Sequence, residues 1–224
     1  MNGSDADDPS AGGGAKKPPT HGEPAVAPPE AEESVIEPAV SEAVHAVSAA
    51  AAVELNRVER ATHPDRLSSI LVAVGPGPHS GATVDIAKAI AEATDAWLEL
   101  FHVVPSDAAL ADGDHADSGV DSEISGDASE TKTAYATDGE RLLSAARDRL
   151  GGFDRADQWL VEDLTAAGAI VEQSPYYDLV VVGAPTTGTV GRFVFGSTTD
   201  TVVDDAEVPV VVVEADGSTA LRDA

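Results

Sequence analysis

The chain has 224 residues, of which 40 are Asp or Glu and only 13 are Lys or Arg, giving a formal charge of −27 with 42% hydrophobic residues. So negative a chain is not an unassisted nucleic-acid binder, because every phosphate contact would be made against a repulsive field. It has no cysteine, which excludes disulfide scaffolds, thiolate metal sites and cysteine nucleophiles.

Only four of the bases are lysines, and 26 of the acids fall between Leu67 and Glu214. The charge therefore belongs to the folded part, and the composition predicts a halophilic, cytoplasmic protein whose self-repulsion is screened by molar salt. No apolar run reaches the roughly 18–20 residues of a membrane span, so no membrane insertion is expected. The acidic start MNGSDADDPS reads as no secretory signal.

In chain order, residues 1–38 read as a disordered acidic tail. Six of the 14 prolines lie in its first 33 residues beside Gly12, Gly13 and Gly14, and all nine aromatic residues lie at Trp97 or later. Such a segment buries too little apolar area to offset the entropy of ordering it. Over 39–63 the spacing of Val40, Val44, Val47, Ala51, Leu55 and Val58 follows one helical face. It predicts a single amphipathic helix, begun by Pro38 and ended at His63-Pro64. This helix lies against its own domain or serves docking or oligomerisation.

From residue 67 to 215 short apolar runs alternate with helical patterns. The runs are 70–74, 97–104, 158–161, 179–182 and 208–213, and several are continuously hydrophobic, as strands buried on both faces must be. The first helix, 80–94, turns Val84, Ala87, Ile90 and Ala91 inward and keeps Asp85, Lys88, Glu92 and Asp95 wet. A second starts at the capping box Thr137-Asp-Gly-Glu140 and stops at Gly151-Gly152. A short third spans about 165–174, and a fourth starts at Ser197 with Asp200 placed to cap. Strands alternating with helices predict an α/β domain, an open five-stranded parallel sheet sandwiched by about four helices with right-handed crossovers.

Residues 105–136 are too long for an ordinary connection and carry eight acids. Asp112, Asp114 and Glu123 approximate a calcium loop, but Asp117 stands where the sharp turn needs glycine. A flexible acidic insertion is expected, with no metal site. Residues 216–224 read as a disordered C-terminus.

Two segments suit the carboxyl ends of a parallel sheet, where ligands bind. One is GPGPHS at 75–80, and the other is GAPTTGTVGRFVFGS at 183–197. Glycines let amides approach phosphate, and a helix N-terminus adds a favourable dipole. His79 faces the pocket between them, whereas His102, within a strand, reads as a hydrogen-bonded core residue. The first loop approximates a dinucleotide fingerprint but ends on Ser80, and no acid follows Val104-Pro105 to hold a ribose. No Walker lysine, nucleophile elbow or zinc-binding HExxH is present, and no serine–histidine–carboxylate set can be assembled, so no catalytic residue is assigned.

Gly183, then Gly196-Ser197 thirteen residues on, a short helix and VPVVVV at 208–213 resemble the signature of the universal stress protein family. That signature is glycine, two residues, glycine, nine residues, then glycine with serine or threonine. The resemblance extends over 67–214 and includes LFHVV at 100–104 and YDLVVVG at 177–183. It implies a Rossmann-like sheet of order 3-2-1-4-5 with both glycine-rich segments at the switch point. It also implies an adenine-nucleotide site, with ATP as the possible ligand, formed by Gly75, Val103, Gly183, Thr186, Gly188, Gly191, Arg192, Gly196, Ser197 and Thr198. Val103 stands where a backbone contact to adenine is made, and Arg192 is the loop's only base. The motif is divergent, because Thr186 replaces the second glycine, with Gly188 two residues later, and Gly75 replaces the aspartate that closes the first strand. Two functions follow: a stress-response regulator acting by dimerisation or partner binding, and a nucleotide-binding protein with slow or no hydrolysis. The implied strand order leaves 208–213 at the sheet edge, uncharged and open to a homodimer.

Overall fold

The computed structural model describes residues 34–48, 50–106, 128–184, 197–215 and 219–221, all within one compact unit, Glu32–Ala224. Five helices occur among them: α1 (Ile36–Ala46), α2 (Ser80–Thr94), α3 (Ala128–Leu150), α4 (Ala166–Gln173) and α5 (Ser197–Asp205). Six strands form one sheet: β1 (Ala50–Asn56), β2 (Ser69–Ala73), β3 (Trp97–Pro105), β4 (Ala156–Asp163), β5 (Leu179–Gly183) and β6 (Val210–Ala215). Their spatial order is β1-β6-β5-β2-β3-β4.

The five strands read from hydrophobicity are present and mutually parallel. Numbered among themselves they run 3-2-1-4-5, but the sheet as a whole is six-stranded and mixed. Residues 39–63 are not one helix. After α1 the chain forms β1, antiparallel to β6 with Val53 opposite Val213 and Leu55 opposite Val211, and then a 3₁₀ turn, Val58–Arg60. Strand β6 is therefore not an edge, and the expected homodimer through 208–213 has no free edge to use. Central position explains β6 better than edge position does: Val210, Val211, Val212 and Val213 are all fully buried, as a strand covered on both faces and paired on both sides requires.

Two apolar layers flank the sheet. On one side α1, α2 and α3 enclose Ile70, Val72, Leu98, Leu100, Val181 and Val211. On the other, α4 and α5 cover Leu71, Phe101, Val180, Val182, Val210 and Val212. Helix α2 keeps its predicted bounds and buries Val84, Ala87, Ile90 and Ala91. Ile86 is buried as well, because Ile36, Ala39, Val40 and Ala43 of α1 join the same apolar layer.

Helix α3 starts at Ala128, nine residues before the predicted capping box. Thr137 caps nothing: it lies inside the helix and its hydroxyl donates to Thr133 O at 2.8 Å, the back-bonding usual for a mid-helix threonine. Residues 128–136, the last nine of the expected acidic insertion, are thus helical, and residues 107–127 lie outside the described residues. Gly139 explains how the helix gets so close to the sheet. A Cβ there would stand 2.7 Å from both His102 Cδ2 and Leu160 Cδ1. The helix ends, as its sequence indicates, at Gly151 with φ of 60°, the left-handed conformation that glycine adopts freely.

The C-terminus departs from expectation too. Thr219 O accepts from Gly81 N at 2.8 Å, Thr219 Oγ1 donates to Pro78 O at 3.0 Å, and Leu221 N donates to Ser80 Oγ at 2.9 Å. Residues 219–221 clasp the first turn of α2.

Candidate functional site

In this sheet the strand order reverses between β2 and β5, and there a cleft of about 350 Å³ opens at the carboxyl ends of β2, β3 and β5. That volume lies at the lower end of the roughly 300–1,000 Å³ of small-molecule sites. Its apolar wall comes from Phe101, Ile170 and Val182, and its polar rim from His79, Ser197, Thr198 and Thr199. Among the described residues no Asp or Glu lines it.

Of the ten residues singled out from sequence, Gly75, Val103, Gly183, Ser197 and Thr198 come together here. Thr186, Gly188, Gly191, Arg192 and Gly196 lie outside the described residues. Ser197 and Thr198 are exposed at the start of α5, whereas Thr199 is buried and its hydroxyl donates to Gly183 O at 3.2 Å. Thr199 thus fixes the helix start to the end of β5, a role its sequence position alone does not announce. Phe101 and Ile170 were also missed. The signal for Phe101 was the period of two, which puts it on the face of Val103.

The loop at 75–80 proves a poor phosphate cradle. Gly77 N donates to Gly75 O and Ser80 N to Gly77 O, and Pro76 and Pro78 have no N–H, so few of its amides are left for a ligand. The first-turn amides of α5 have no acceptor within the helix.

Gly183 also differs from expectation. The space above its Cα holds the His79 imidazole, with Cδ2 1.9 Å from where a Cβ would stand. Gly77 meets the same ring, 2.5 Å from Cε1. The two glycines form a slot for the imidazole. Among the described residues no hydrogen bond is made by the ring, and Nδ1 is sealed from solvent. Burial lowers the His79 pKa below its ordinary 6.5, so the ring is neutral at pH 7. His102 reads as predicted: its Nδ1 donates to Val74 O at 2.6 Å, which ties the ends of β2 and β3 together.

An open, mostly parallel sheet with a cleft at its reversal point defines a doubly wound α/β protein. The model of the universal stress protein family matches residues 66–214, and the chain belongs to this family of stress-response proteins. Among solved structures it is similar to universal stress protein UspA from Lactobacillus plantarum, with 25% identity over 66% of this chain and 98% of that one, at a TM-score of 0.51. The hypothetical protein MJ0577, whose biochemical function was assigned from its structure, is 16% identical over 67% of this chain and 97% of its own, also at 0.51. A universal stress protein solved in complex with cAMP is 20% identical over 67% and 99%, at 0.46. No curated protein matches the chain.

Among the described residues no helix is long and apolar enough to cross a membrane.

Proposed function

We propose that this chain is a stress-response protein that binds an adenine nucleotide, ATP or a shorter phosphate ester, in the cleft between β2, β3 and β5 without rapid hydrolysis. One observation carries the reading: a chain with 40 acids presents a cleft lined by none of them among the described residues. The sequence continues the pattern, because no Asp or Glu occurs between Asp178 and Asp200 and the only charge there is Arg192. On so negative a molecule this is where an anion meets least repulsion. Among the described residues the cleft has no carboxylate to hold a divalent ion beside the phosphates, which disfavours hydrolysis. The base would rest on the apolar wall near Val103, and the phosphates on the start of α5.

Calorimetric titration in molar KCl with ATP, AMP and adenosine tests this, and ATP should bind best. Thr186→Gly restores the family's glycine and should tighten binding of ATP. Gly75→Asp restores the aspartate that holds the nucleoside, where a Cβ meets nothing within 4 Å, so it should tighten binding of adenosine more than of ATP. No heat from wild type or from either variant sinks the reading.

A second reading, action by binding a partner protein, is favoured by exposed aromatic side chains. Trp97 on β3 is 43% exposed, Trp159 on β4 41% and Tyr176, in the turn before β5, 76%, in a chain with only nine aromatic residues. Exposed aromatic side chains are enriched at binding surfaces. Light scattering of the wild type against Trp97→Ser/Trp159→Ser decides it: a self-association lost in the double variant would support this reading, and a wild-type monomer that captures no partner would remove it.

A further inference from the structure

We infer that His79 is the residue by which the cleft selects anionic ligands, its imidazole donating a hydrogen bond from Nε2 to a phosphate oxygen held against the start of α5. The inference rests on the nucleotide reading above and names a residue that reading does not need.

The ring lies in the slot made by Gly77 and Gly183 and lines the cleft. Unlike His102, whose Nδ1 is bonded to Val74 O, it has no hydrogen-bond partner among the described residues, and an unpartnered buried polar atom such as its Nδ1 calls for a reason. The sealed nitrogen is Nδ1. A proton there would be a buried donor without an acceptor, so the neutral ring carries its proton on Nε2, which leaves a donor for the cleft.

Gly183 connects the ring to the helix: its Cα faces the imidazole, and its carbonyl accepts from Thr199 in the first turn of α5. Donors from the ring and from Ser197 and Thr198 therefore border one cleft.

The charged groups nearby leave the ring unopposed. Among the described residues His102 is the only other titratable group lining the cleft. Asp200, in the first turn of α5, is exposed and outside the lining. Asp85 and Arg149, beside Gly81, are paired with each other at 2.7 Å. β5 and α4 contribute only uncharged residues to the cleft.

Desolvation keeps the free ring neutral, but an adjacent phosphate opposes that desolvation and favours the imidazolium. The second proton must sit on the sealed Nδ1, which keeps the rise in the ring's pKa partial. Proton uptake therefore accompanies binding only as pH falls toward the ring's midpoint, and affinity for an anion rises in the same direction.

Nuclear magnetic resonance of the wild-type His79 ring, titrated in molar KCl with and without saturating ATP, reads this directly. Its midpoint should lie below the ordinary histidine value when free and shift upward by about one unit when bound, which is a tenfold change in affinity. In calorimetry His79→Gln keeps a donor but not the titration, so the ligand's own phosphate protonation remains and the rest of the pH dependence disappears. His79→Phe removes the donor and should reduce the preference for ATP over adenosine about tenfold or more. ATP binding with an unmoved His79 midpoint, or with one pH profile in wild type and His79→Gln, overturns the inference and leaves the nucleotide reading standing. If neither ATP nor adenosine binds, both fall.

Discussion

The glycines of this chain separate by what a single methyl group would strike. At Gly183 it strikes the His79 ring, so Gly183→Ala should expel the imidazole from its slot. The cost is about 1–3 kcal/mol in stability, as for other overpacked sites, and the His79 resonance should move toward that of an exposed ring. At Gly152 a Cβ meets nothing within 4 Å, so Gly152→Ala should stay within about 0.5 kcal/mol of wild type. Chemical denaturation of the pair gives the comparison. Glu99 offers a residue-scale test of pH. Burial first, and then Asp157, raises its pKa above 4.5, so between 4.5 and the raised value the folded state binds more protons than the unfolded. Stability from this group is therefore greatest in acid and falls as pH rises through the folded value. Glu99→Gln should stabilise the protein at pH 7 and lose that advantage toward pH 4.5. His79 acts in the opposite sense. With its pKa lowered, the unfolded chain takes up the proton first, so this ring weakens the fold as pH falls below 6.5. The place of His79 in the first loop was legible in the sequence. Its slot was not, because Gly77 and Gly183 are more than a hundred residues apart and only the finished sheet brings them to one ring.

At the scale of elements, the N-terminal α1–β1 segment acts as a brace. Arg57 donates to Asp204 Oδ1 at 2.9 Å and Arg60 to Asp204 O at 2.8 Å, and Arg60 also bonds Ala206 O. These arginines satisfy carbonyls at the C-terminal end of α5 and meet the negative end of its dipole. The helix whose first turn borders the cleft is thus held at its last turn by residues preceding the family domain. Removing residues 1–56 would strip β6 of its partner and leave Val211 and Val213 on an unprotected edge. An apolar open edge pairs with its like, so the truncated chain should associate in light scattering while the full chain does not associate through that edge. A truncated chain that remains monomeric and soluble would show that β1 protects nothing. The strand was hidden in the sequence for a local reason. AAAVELN has the composition of a helix, its Ala51 and Leu55 also fit a helical stripe, and only pairing with β6 overrides that propensity. The stripe itself was partly misplaced, since Val44 is 40% exposed while Ile36 and Ala39 are buried. The parallel strands, by contrast, were readable because burial on both faces leaves continuous apolar runs that no surface helix shares.

For the whole molecule the dominant quantity is the charge of −27. The ion pairs among the described residues are mostly exposed, such as Lys88–Glu92 at 3.9 Å and Arg141–Asp138 at 3.2 Å, and exposed pairs each contribute about 0–1 kcal/mol. They cannot offset the summed repulsion, which falls only when the screening length shrinks from about 10 Å at 0.1 M salt to about 3 Å at 1 M. The thermal midpoint should therefore rise from low to molar KCl, and an insensitive midpoint in a circular dichroism melt would contradict halophilic behaviour. The sheet also imposes an order on assembly. Between β1 and its partner β6 lie every other strand and helices α2–α5 among the described residues. During synthesis β1 leaves the ribosome long before β6 exists, and so remains an unpaired apolar segment until β6 has been made. Contacts so distant in sequence slow folding, and exposed strands awaiting partners are where nascent chains go astray. The brace that protects the finished molecule from its own edge is thus the last piece to lock and the first to be at risk.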